Sequence, residues 1–147
     1  MTTKPLPLLA LLALALLGVP RVVLHDLDLI HEGTGLNAVF VAVPLLVWIG
    51  VVVWRRPPRP FLTLLAVGVI HGILLAVTHQ LLWTVSFGDS PPRLGGNLAD
   101  LSPVVQAVIT RSFAVISSLV TGTVLGALTG LVAWALSPRR RAPRPAR

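Results

Sequence analysis

The sequence predicts an all-α fold, an integral membrane antiparallel four-helix bundle, and three observations predict it. Four long apolar runs fill most of the 147 residues. None of them contains an acidic residue or a lysine. All five acidic residues fall in connections that share one side if every run crosses a bilayer. A helix crossing the hydrocarbon core needs about 20 mostly apolar residues. A soluble domain of this size would instead show one apolar stripe and one charged face on each helix.

Span one covers about residues 6–24 and follows Lys4. Its basic start and the Leu6–Leu17 run also fit a secretory signal peptide. Gly18-Val19-Pro20 makes a poor cleavage site, so the run is expected to be retained. Beyond it, Arg21, His25, Asp28 and Glu32 recur at spacings of four, three and four, which puts them on one face of a helix. That helix is expected to reach Gly33, a suitable left-handed terminator. Pro20 is the opposing signal, for a kink at the membrane edge. Thr34 or Asn37 then starts span two, about 36–54.

Pro44 sits inside span two, where it removes a backbone donor and bends the helix. Neighbouring helices can satisfy the freed groups. Arg55 to Pro60 forms a tight turn, and span three covers about 61–87. The connection Gly88–Asp100 carries Pro91-Pro92 and Gly95-Gly96. Ser102-Pro103 reads as a helix cap followed by the first helical residue. A helix from there to Leu136 would be about 51 Å long, against a hydrocarbon core of roughly 30 Å. Span four is therefore placed at about 111–136, with Arg111 at the membrane edge. Residues 1–137 form the four-span domain, and 138–147 a basic tail expected to be disordered.

Charge sets the orientation. Lys4, Arg55, Arg56, Arg59, Arg139, Arg140, Arg141, Arg144 and Arg147 share one side of the predicted bundle. Basic residues in short loops stay cytoplasmic, so both termini are expected inside the cell membrane. Trp54, Trp83 and Trp134 fall at span ends, where interfacial rings are favoured, whereas Trp48 falls mid-span as a packing residue. The net charge of +7 is confined to flanks with no aromatic platform, so nucleic acid is not an expected partner. The tail instead suits anionic lipid, each arginine contributing roughly 1 kcal/mol. The absence of cysteine excludes thiolate chemistry. Arginine over lysine, with abundant Ala, Leu, Val and Pro, fits a GC-rich bacterial genome.

Small residues mark the packing faces. Ala114, Ser118, Gly122, Gly126 and Gly130 recur every four residues on span four, and Gly68, Gly72 and Ala76 on span three. Such rows let helices approach closely where hydrophobicity cannot drive association. The economical reading is packing of span three on span four within one protomer; the alternative is a homodimer seam. Ser117 and Ser118 are expected to donate hydrogen bonds between helices.

Chemistry would rest on histidines. His71 and His79 are eight residues apart on span three, about 12 Å along the axis and about 80° around it, so one metal ion cannot take both. His71 falls near mid-membrane, where a neutral ring bonded to a carbonyl or to a serine of span four is the simple reading. Gln80 is a further buried polar group beside His79. His25, Asp28 and Glu32, closed by His79, form a candidate site for a divalent metal or a proton. The plainer reading is a solvated collar pairing Arg21 with Asp28, and Arg111 with Asp100 or Asp89. No Gly-x-Ser-x-Gly turn points to a serine hydrolase, haem lacks facing axial ligands, and no carboxylate lies inside a run as a proton carrier. The expected role is noncatalytic, an accessory or self-associating component whose partners are the bilayer and a second copy or another membrane protein. The alternative is metal or proton handling in transport or redox chemistry.

Overall fold

The computed structural model describes residues 4–137; the basic tail at 138–147 lies outside them. The described residues are helical, with no strand. The elements are α1 (Leu8–Leu16), α2 (Val19–Asp26), α3 (Gly35–Arg55), α4 (Pro60–Phe87) and α5 (Pro103–Leu136), with a 3-10 turn at Gly96–Leu98. Taken together, Leu8–Asp26 and the other three make four helices long and apolar enough to cross a membrane.

The extensive contact between α4 and α5 is the widest in the fold, and it is made of backbone against backbone. A methyl group added at Gly68 would come within 2.5 Å of Gly126 Cα. One at Gly122 would lie 2.5 Å from both the Gly68 carbonyl and Gly72 Cα, and one at Gly72 would lie 2.9 Å from the Ser118 carbonyl. Gly126 meets the Leu64 carbonyl and Gly130 meets Phe61 in the same way. The small residues of the two rows therefore lie against each other within one chain. The hydroxyl of Ser118 does not bridge the helices: it donates to the Ala114 carbonyl, 2.7 Å away on its own helix. A buried hydroxyl finds the carbonyl one turn back more easily than a distant partner. Ser117 is exposed.

The first apolar segment is two helices, not one. Pro20 has no N–H to give Leu16, and the chain tightens at Leu17 and Gly18 with bonds back to Leu14 (3.2 Å) and Ala15 (3.4 Å). The same two carbonyls receive side chains from elsewhere. Trp48 Nε1 donates to Leu14 O at 2.7 Å, and His71 Nδ1 lies 3.0 Å from Ala15 O. The Trp48 and His71 rings meet edge to face at 5.4 Å. Gly18 makes room for this, because a methyl group there would sit 3.0 Å from His71 Nε2. His71 thus finds a carbonyl partner on α1, not a serine on α5. Leu14, Ala15, Val52, Leu64, Val67 and Ala133 complete the core around Trp48.

The second half of the segment also ends sooner than the spacing predicts. α2 stops at Asp26, and Asp28 turns left-handed at φ 58°. Leu29 N bonds to Leu24 O (2.9 Å) and Asp28 N to His25 O (2.9 Å), the two bonds of a Schellman stop with aspartate in glycine's usual place. No helix therefore runs on to Gly33. Thr34 caps α3, its hydroxyl oxygen accepting from Asn37 N at 3.2 Å. Ser102 caps α5 through Val105 N. Trp54 and Trp134 are exposed, but Trp83 is buried against Phe87.

Gly68→Leu and Gly122→Leu are each expected to lower stability by about 3 kcal/mol, because the backbone opposite cannot retreat. Gly50→Leu, in open space on α3, is expected to change it little. Thermal unfolding in mild detergent checks the contrast.

Candidate functional site

Asp26 is the centre of the polar end of the bundle. It is the last residue of α2, and its side chain is 7% exposed. Oδ2 lies 2.7 Å from Nδ1 of His79 on α4, and Oδ1 lies 3.5 Å from Nδ1 of its neighbour His25. Ser86, two turns beyond His79, donates its hydroxyl to the Asp26 backbone carbonyl at 2.9 Å. Side chain and main chain of one residue are thus both held by α4.

The carboxylate dictates the chemistry of the ring it touches. A carboxylate oxygen beside Nδ1 holds the proton on that nitrogen, which leaves the lone pair on Nε2. The 2.7 Å separation is in the range of a charge-assisted hydrogen bond. The His79 side chain is 32% exposed, while the Asp26 side chain is sheltered.

Two smaller networks flank this pair. Arg21 Nε donates to Asn37 Oδ1 at 3.0 Å, and its NH2 nitrogen lies 3.7 Å from Glu32, which is itself 3.9 Å from His25 Nε2. On the other flank, Gln80 and Arg111 bond reciprocally: the guanidinium donates to Gln80 Oε1 at 3.2 Å and Gln80 Nε2 donates to the Arg111 carbonyl at 3.4 Å. The Arg111 guanidinium stacks over the Trp83 ring at 4.8 Å. The collar therefore pairs Arg21 with Glu32 and not Asp28, and Arg111 with Gln80 and Trp83 and not Asp100 or Asp89.

Of the four candidate metal ligands, His25 and Glu32 lie near each other, His25 and His79 both meet the Asp26 carboxylate, and Asp28 stands apart. Asp28 is 92% exposed and sits beside His31 at 3.4 Å. The reason is local: α2 ends at Asp26 and Asp28 turns left-handed, which takes Asp28 away while Glu32 still meets Arg21 and His25. Among the described residues, no group of three or more His, Asp or Glu side chains is placed to hold a metal ion. Asp26 lies off the four-three-four spacing, so periodicity alone passes over it. Its one sequence signal is its place beside His25 at the end of an apolar run.

Removing His79 should strand a sheltered carboxylate. His79→Ala is expected to cost about 3 kcal/mol, whereas Asp28→Ala, at an exposed pair, should stay within about 0.5 kcal/mol. Denaturation of the two variants side by side measures the difference. Comparison with family models, curated proteins and solved structures finds no match to this chain.

Proposed function

We propose that this chain is a small multi-pass protein of the cell membrane, an antiparallel four-helix bundle with both termini cytoplasmic, that works as a noncatalytic accessory to another membrane protein. One observation carries the reading. The faces turned away from the bundle are apolar along the length of the helices, with Leu46, Leu81, Val85, Phe113, Ile116, Val120, Leu128 and Leu131 among the exposed residues. The polar side chains between these helices are engaged with one another or with backbone. Such an exterior matches lipid, which also demands that backbone groups be satisfied internally.

Helix pairing supports the antiparallel arrangement, since Phe61 meets Gly130, Gly72 meets Ser118 and Gln80 meets Arg111. Charge supports the orientation. Arg55, Arg56 and Arg59 lie at one end of the bundle, while Asp26, Asp28, Glu32, Asp89 and Asp100 lie in or beside the connections at the other. The glycine rows support an accessory role over self-association through α5, because they are taken up between α4 and α5. The lipid-facing surfaces remain for a partner.

A reporter fused after Ser137 should be active only in its cytoplasmic form, and one inserted at Gly95 only in its periplasmic form; the reverse pattern overturns the orientation. For the role, a photo-crosslinking residue at Leu128 in native membranes should give one discrete heterologous adduct. A ladder at multiples of 15.6 kDa would replace the accessory reading with self-association.

A further inference from the structure

We infer that Arg111 is a binding site for the phosphate of a phospholipid headgroup in the outer leaflet, held ready for it by Trp83 and Gln80. The inference rests on the membrane reading above, and it starts from depth. Gln80 lies about twenty residues along α4 from Pro60, a rise of about 30 Å, which equals the hydrocarbon thickness of a bilayer. Arg111 bonds to Gln80 and stacks on Trp83, so its guanidinium sits where acyl chains give way to headgroups.

The charge there is fixed in place and unanswered. Trp83 is 8% exposed and forms a rigid floor 4.8 Å beneath the guanidinium, while Gln80 Oε1 takes a bond from NH1 at 3.2 Å. Among the described residues Arg111 forms no ion pair. Asp26 meets His79 and His25, Glu32 meets Arg21, Asp28 meets His31, and neither Asp89 nor Asp100 pairs with it. Arginine keeps its charge, and a cation without a counter-charge at the edge of the hydrocarbon layer is costly. A free side chain at this level swings outward to water. This one is anchored by its stack and its bond, so the counter-charge has to come to it. The edge of the guanidinium that Gln80 leaves free is a planar fork, the shape that grips two oxygens of a phosphate. An acyl chain has a place as well. Val77 and Ile73, one and two turns inward from Gln80 on the same face of α4, are exposed. A phosphate at Arg111 and a chain along Val77 and Ile73 are the two parts of one lipid; free phosphate would make no use of that apolar strip.

Thermal unfolding of the full chain in mild detergent tests the site. Added phosphatidylglycerol should raise the melting temperature by about 4 °C. An uncharged glycolipid with the same acyl chains, or inorganic phosphate, should not. Arg111→Gln should abolish the rise, whereas Arg93→Gln, at an exposed arginine of the 88–102 connection, should keep it. A rise that persists in Arg111→Gln, no rise in the unaltered chain, or an equal rise with glycolipid or inorganic phosphate overturns the site. Should Arg111→Gln fail to fold, native mass spectrometry of the unaltered chain decides. From micelles holding both lipids in equal amounts, one retained phosphatidylglycerol supports the site; equal retention of the two, or of neither, overturns it. Carbonate washing of membranes separates this failure from failure of the membrane reading. A chain that stays in the washed membranes but ignores phosphatidylglycerol loses only the site, whereas one that washes off loses both.

Discussion

The approach of α4 to α5 is the constraint on which the rest of the arrangement depends. Where Gly68, Gly72, Gly122 and Gly126 meet, no side chain separates the backbones, and the register cannot slide without driving a carbonyl into a Cα. That fixed register sets Gln80 level with Arg111 and turns the Arg111 guanidinium onto Trp83. It also leaves the opposite face of α4 free to receive α1 and α2. His71 and His79, eight residues apart, each reach a different one of these two helices: His71 takes the Ala15 carbonyl, and His79 takes Asp26. α4 thus grips α5 by shape on one side and the first apolar segment by polar contacts on the other.

The division of that first segment is a problem in backbone accounting. Pro20 has no N–H for the Leu16 carbonyl, and the chain tightens just before it, Leu17 N bonding to Leu14 O and Gly18 N to Ala15 O. The same two carbonyls also take the Trp48 indole and the His71 imidazole from two other helices. The mid-chain histidine therefore docks at the tightened turn before Pro20, fifty-one residues earlier in sequence. A buried polar residue of this kind serves packing, which separates His71 from His79. The first docks on a backbone carbonyl, whereas the second meets a carboxylate.

What was legible in the sequence was whatever depends on neighbours along the chain. The four apolar runs, the caps at Thr34 and Ser102 and the glycine rows at intervals of four are local patterns with local causes. The partners chosen across the bundle were not legible. The stop at Asp26 rests on a left-handed aspartate, where composition points to Gly33, and that one turn takes Asp28 away from His25 and Glu32. Asp26 itself was passed over because its importance comes from His79 and Ser86, 53 and 60 residues away. Periodicity reports which residues share a face, but not where the face ends.

The uneven distribution of contacts has a consequence for how the molecule is made. α1, α2 and α3 touch one another little, and the first two are held chiefly by α4. A chain synthesised from its N-terminus presents these three helices before the element that fastens them exists. In that interval the Ala15 carbonyl has no His71 and Asp26 has no His79 to meet. The first two helices therefore lack their main packing partner until α4 is present.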